Sequence, residues 1–207
     1  MQTVNLLPTP ELTGTPPVGF SELLGCNFKA IMADPPWDYG CKFPRAPDRP
    51  GRDRGENPGS VNHYYQTMKL DEICAIPVAD MAAKDACLFL WATVPLLPEA
   101  FEVMKAWGFK YKTKISWHKL NATGMGFWFR GCHEELLLGV RGDVRAFQSS
   151  QKNLIQTNRG RHSAKPDQFY ELVEKVCQPP LLELFGRRKR PGWTVFGNEV
   201  EGDLLAP

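Results

Sequence analysis

Phe28-Lys29-Ala30-Ile31-Met32-Ala33-Asp34-Pro35-Pro36-Trp37 is the stretch on which the reading of the whole chain turns. The apolar run over residues 28–32 reads as a buried strand. A carboxylate, two prolines and an indole follow directly. Proline has a fixed φ and no N–H to donate, so the strand must stop here. The carbonyls of Asp34 and Pro35 are then expected to be free to face a ligand. In an open α/β sheet, ligands sit outside the carboxyl ends of the strands. The chemistry suits an exocyclic amine on a planar ring. Asp34 accepts one hydrogen bond from the amine, the Pro35 carbonyl accepts another, and Trp37 stacks on the ring. A Pro-Pro turn beside a core tryptophan is the bland alternative.

Working outward, residues 1–25 carry Pro8, Pro10, Pro16 and Pro17 and little periodicity, which predicts an extended arm. Residues 26–207 read as a single domain. Directly after Trp37, residues 38–63 hold Arg45, Arg49, Arg52 and Arg54 among prolines and glycines, with no apolar period. A long structureless segment in a compact domain is either functional or idle. Beside a site it is placed to hold phosphates, and a solvated insertion is the other reading. Further strands are predicted over 86–92, around 114–117, and over 135–140, 154–157, 181–185 and 193–196. Helices are predicted from Leu70 to Pro77, over 78–83, over 98–107 with Phe101 and Met104 inward, and over 165–176. Strands alternating with helices imply an α/β domain with about seven mostly parallel strands.

The size of the chain, 207 residues, bounds it to one domain of ordinary size. A net charge of +2 excludes a global polycation, so nucleic-acid contact must come from local patches. The six cysteines form no C-x-x-C pair and the histidines do not cluster with them, so no metal site is expected. Cys87 and Cys177 lie in apolar runs and read as reduced core residues. No signal peptide or bilayer-length apolar run is visible, which points to a reducing, cytoplasmic setting.

The Asp34-Pro35-Pro36-Trp37 motif resembles that of adenine-N6 amino-methyltransferases. With tryptophan in the last place it is most similar to the MT-A70 family, in its small bacterial or phage form. The resemblance covers most of residues 28–199. It implies a circularly permuted, Rossmann-like methyltransferase whose catalytic strand precedes its cofactor strands, and S-adenosyl-L-methionine as donor. Asp34, Pro35, Pro36 and Trp37 match the catalytic motif. Tyr65, in Tyr-x-Thr-Met, and Trp117 and Lys119, in Trp-x-Lys, match residues lining the target pocket. Lys165, in Lys-Pro-Asp, matches a ligand of the cofactor carboxylate. Phe185, Gly186 and Arg187, together with Asn198 and Glu199, match the cofactor site. Glu199 departs from members that carry glutamine, and two acceptor oxygens still suit a ribose diol.

The residues themselves support parts of this. Glycine after the strand at 181–185 allows close backbone approach. Glu199 follows Glu183 by 16 positions (199 − 183), near the spacing of a ribose-binding acid. Lys165 at a predicted helix start opposes the helix dipole, and an anion would offset that. A solvated lysine on a capped helix explains it equally well. Trp91, Trp107 and Phe101 read as packing. Arg187-Arg188-Lys189-Arg190 reads as a solvated turn or a nucleic-acid contact. The functional readings are methylation of adenine N6 in DNA, the same reaction on RNA, or a non-catalytic nucleic-acid-binding subunit. So short a chain has little room to read several bases, which favours a homodimer or a partner subunit.

Overall fold

The computed structural model describes residues 19–39, 67–121, 124, 128–158 and 165–197. The expected loop over 38–63 lies, beyond Tyr39, outside the described residues. So does the arm up to residue 18. The last part of that arm is packed: Phe20 caps a short 3₁₀ turn, Ser21–Leu23, and Phe20 and Leu23 are buried in the core.

Among the described residues, seven strands form one sheet. They are β1 (Phe28–Ala33), β2 (Ala82–Thr93), β3 (Lys110–Lys119), β4 (His133–Arg141), β5 (Leu154–Thr157), β6 (Leu181–Leu184) and β7 (Trp193–Phe196). The helices are α1 (Leu70–Cys74), α2 (Val78–Met81), α3 (Leu97–Ala106) and α4 (Asp167–Val176). The sheet order is β5-β3-β4-β2-β1-β6-β7. The pairs β1–β2, β1–β6, β6–β7 and β3–β5 are parallel. β4 alone runs antiparallel to both of its neighbours. The Lys119 N–H bonds the Cys132 carbonyl at 2.8 Å, so the β3–β4 ladder continues past its paired residues as an antiparallel pair does.

β1 is buried on both faces, as a central parallel strand must be. Phe28, Ile31 and Ala33 join a core with α1, α2 and α3, while Ala30 and Met32 join a second core beneath α4. The chain leaves β1 toward β2 on one side and returns to β6 on the other. The crevice outside the ends of β1 and β6 is therefore the topological switch point.

Two expectations shift by packing. α3 buries Ala100, Val103 and Met104, with Trp107 also inside. Phe101 sits on the flank of that stripe and is exposed, stacked edge-on against Tyr111 with ring centroids 5.1 Å apart. α4 begins at Asp167 with Pro166 as its N-cap, so Lys165 precedes the helix. Cys87 and Cys177 are buried, unoxidised and adjacent. Trp91 and Trp107 are core residues as expected.

The turn after β4 is fixed by Gly142, at φ +67°. A Cβ there would stand 2.0 Å from Asp85 Oδ1 and 2.4 Å from the Lys84 carbonyl. Asp85 Oδ1 also accepts the Asp143 N–H at 2.7 Å. Gly142→Ala is expected to cost about 1–3 kcal/mol through strain and overcrowding, read as a lower urea midpoint at unchanged slope.

Candidate functional site

Asp34 leaves β1 at its carboxyl end, with its N–H donated to the Leu184 carbonyl of β6 at 3.3 Å. The next residues turn tightly. The Pro35 carbonyl accepts the Trp37 N–H at 2.8 Å, and the Pro36 carbonyl accepts the Met68 N–H at 2.8 Å. The expectation of an uncommitted Pro35 carbonyl is thus corrected: one lone pair is used and one remains. Trp37 is corrected as well. It is 7% exposed, lies in the core, and donates its indole N–H to the Trp91 carbonyl at 3.1 Å. Its ring anchors the proline corner, and its faces are spent on packing.

The Asp34 carboxylate, 29% exposed, meets the Lys165 ammonium at 2.7 Å, across 131 positions of sequence. Lys165 reaches Glu134 Oε2 at 3.2 Å, and Glu134 also pairs with Lys119. Two acids and two bases thus form one chain of charge, Asp34–Lys165–Glu134–Lys119. Lys165 is only 9% exposed and lies over the Trp91 ring at 5.0 Å. Burial pushes its ammonium down, but the Asp34 and Glu134 carboxylates outweigh burial and hold it above the usual lysine range. Burial likewise pushes Glu134 up, and Lys165 and Lys119 bring it below the usual carboxylate range. The anion expected at Lys165 is therefore present, and it belongs to the protein.

Sequence reasoning missed Glu134. Its signal was register: β4 opens His133-Glu134-Glu135, and alternation sends the two glutamates to opposite faces. Glu134 pairs opposite Trp117, one residue from His118 and two from Lys119. Glu135 goes to the other face, where Ser116 donates to it at 2.7 Å and His133 and Lys114 lie at 2.9 and 3.0 Å. His133 thus has a partner that the sequence did not reveal.

Trp117, expected to line the target pocket, is 2% exposed. It donates to Thr157 Oγ1 at 2.8 Å and packs edge-on to Trp91 and Phe169. Lys119 lies over its ring at 4.7 Å, so Trp117 supports the lysine from below. Tyr65, Asn198 and Glu199 lie outside the described residues.

At the end of β6, Phe185 adopts φ +65°, a strained conformation for a non-glycine residue. The Gly186 N–H then bonds the Phe196 carbonyl at 3.1 Å. A Cβ on Gly186 would stand 2.3 Å from Val195 Cγ1, and one on Gly197 would stand 2.0 Å from the Gly186 carbonyl. Both glycines serve the approach of two strand ends to each other. Beside them Glu183 Oε1 accepts the Tyr170 hydroxyl at 2.6 Å, while Glu183 Oε2 is buried without a partner among the described residues. Burial holds Glu183 above its usual range. Arg187 follows, half-buried. Arg188 pairs with Asp167, and Arg190 pairs with Asp167 and Glu174, so this turn is tied to α4.

Lys165→Met leaves Asp34 and Glu134 facing each other without their shared cation. It is expected to cost about 3 kcal/mol at pH 7. Glu134 is held low in the folded state, so its stabilising share exists above the ordinary carboxylate range and fades as pH falls through the folded value. Lys165 is held high, so its share is complete below the ordinary lysine range and lost only at higher pH. The gap in melting temperature between the two proteins should therefore be flat from about pH 6 to 9 and shrink below about pH 4. Melts across that range check it, and a gap that grows in acid would contradict the network.

A profile of the MT-A70 family matches residues 28–199. The Type II methyltransferase M.MunI of a Mycoplasma species is 31% identical over 199 residues, covering 90% of this chain and 83% of that protein. The human N(6)-adenosine-methyltransferase catalytic subunit METTL3 is 30% identical over 193 residues, covering 87% of this chain and 30% of that protein. An Arabidopsis thaliana N(6)-adenosine-methyltransferase MT-A70-like protein is 29% identical over 194 residues, covering 89% of this chain and 25% of that protein. The chain thus spans most of the Mycoplasma relative and under a third of the other two. With the Asp-Pro-Pro-Trp corner standing at the switch point of its sheet, this chain belongs to the MT-A70 family.

Proposed function

We propose that the chain transfers a methyl group from S-adenosyl-L-methionine to N6 of adenine in DNA. The adenine-N6 chemistry is that of the family and of the relatives' names. DNA is favoured because the relative whose length this chain nearly spans is a Type II methyltransferase. The observation that carries the reading is the Asp34–Lys165 contact of 2.7 Å at the switch point.

The residues suit the donor. The buried, unpartnered Glu183 Oε2 needs a hydrogen-bond donor, and the cofactor carries hydroxyl and ammonium groups. Phe185, Gly186, Arg187, Asn198 and Glu199 are assigned to its binding. When bound, the sulfonium donor supplies the methyl group, its sulfur keeping the electron pair of the broken bond. The chain's part is alignment and charge. Lys165 grips Asp34 Oδ2, and we assign Oδ1 to the substrate amine. The second lone pair of the Pro35 carbonyl takes the other amine hydrogen, turning the nitrogen lone pair outward. Positioning of this kind supplies much of an enzyme's acceleration. As N6 becomes positive, Asp34 and Glu134 stabilise it. The amine then loses one proton through Asp34 Oδ1 to water, and no strong base is needed before attack. Adenine must leave its stack to reach the corner, and Tyr65 and Lys119 are assigned to hold it.

Nucleic acid is thus the partner, in the reducing cytoplasm of a bacterial or phage-infected cell. No described helix is long and apolar enough to cross a membrane. We assign part of the base reading to a second copy or a partner subunit.

Asp34→Asn keeps the shape and removes the charge. Methyl transfer should fall at least about 10²-fold, while the affinity for S-adenosylmethionine stays within a few-fold. Mass spectrometry of nucleosides after incubation with DNA or RNA, and calorimetry for the cofactor, read the two effects. Undiminished turnover would remove Asp34 from the reaction, and methylation confined to RNA would replace the substrate.

A further inference from the structure

The connection between β3 and β4 carries two aromatic side chains that pack in neither core of the described residues. Trp128 is 86% exposed and Phe129 is 90% exposed. Elsewhere among the described residues, every tryptophan is in the core. Full exposure of an indole beside a phenyl ring is unfavourable in water unless something covers them.

The loop that presents them is built. The Lys119 N–H bonds the Cys132 carbonyl at 2.8 Å, which continues the β3–β4 ladder past the last paired residues. The Gly124 N–H then bonds the Gly131 carbonyl at 2.7 Å. A Cβ on Gly124 would stand 2.2 Å from that carbonyl oxygen, so the approach requires glycine. The neck is pinched shut, and Trp128, Phe129 and Arg130 lie beyond it. The roots of the same hairpin are Lys119 and Glu134, two members of the charge chain that ends on Asp34. The aromatic pair thus belongs to the same connection as two members of the charge chain.

We propose that Trp128 and Phe129 form a wedge that enters the base stack of duplex DNA and fills the gap left when the target adenine turns into the site. The inference rests on the reading of the chain as a DNA adenine methyltransferase. An adenine that leaves a duplex opens a gap of one base step, about 3.4 Å along the strand. Every base has a π-face, so aromatic side chains fill such a gap without needing a sequence. Apolar side chains inserted between base steps are a known way to unstack them. Arg130, next in sequence, supplies the charge that a phosphate needs. A pinched neck suits this task, since a wedge that swings freely would gain little from insertion.

The test uses the full chain and a sequence it methylates, found by mapping N6-methyladenine in treated duplex DNA. Two duplexes carry that sequence. One is fully paired, and the other has an abasic site opposite the target adenine, which relieves most of the cost of turning the base out. The double variant Trp128→Ala with Phe129→Ala should lose at least about tenfold in kcat/KM on the paired duplex and less than about threefold on the abasic one. Trp128→Phe in the otherwise native chain should keep most of the activity on the paired duplex. With 2-aminopurine at the target position, the native chain should raise fluorescence on binding and the double variant should not. Equal losses on both duplexes, or none, overturn the wedge alone and leave the enzyme standing. A loss that tracks dissociation of an oligomer in sedimentation overturns it in favour of a contact between copies. A native chain that leaves no N6-methyladenine in duplex DNA at the mapping step overturns the reading of the enzyme, and the wedge with it.

Discussion

A buried ammonium must have anions around it, and Lys165 has two. That requirement organises the carboxyl edge of the sheet. Asp34 comes from β1, Glu134 from β4, and Lys165 from the approach to α4. None of the three could be buried alone, because an isolated charge away from water is too costly. Together they close the balance, with Lys119 as the fourth member. The cost of failing to assemble them is what brings three distant segments to one point.

Local features on each segment serve that convergence. The prolines end β1 so that Asp34 stands clear of the ladder. Trp37 locks the corner into the core through the Trp91 carbonyl. β4 has to run backwards for its first residues to meet the last residues of β1, β2 and β3. Trp91, Trp117 and Phe169 then pack edge-on as a hard apolar floor beneath the two lysines. A charged site on a rigid aromatic floor keeps its geometry when a ligand arrives, which is the condition for electrostatic catalysis.

The seven strands were legible because each is a short apolar or alternating run bounded by glycine, proline or charge. The Asp-Pro-Pro-Trp corner was legible because proline's constraints are local. Side-chain assignments that depend on the far side of the sheet were not. Trp37 and Trp117 read as pocket aromatics, yet both point inward, since nothing local tells a stacking ring from a packed one. Lys165 read as facing an external anion, because its two carboxylates are remote in sequence. Glu134 was invisible until strand register placed it opposite Trp117. Phe101 read as inward because a ten-residue helix leaves its stripe uncertain by one position.

The span of 131 residues between Asp34 and its cation has a consequence for synthesis. The chain emerges from the ribosome with the acid first and the lysine 131 residues later. A nascent chain that has made β1 through β5 holds two acids at the future site and only one of their bases. It also lacks the strand that accepts the neighbouring backbone amide, since the Leu184 carbonyl comes later still. The order of the segments thus postpones assembly of the charge chain until Lys165 has been made, 131 residues after Asp34.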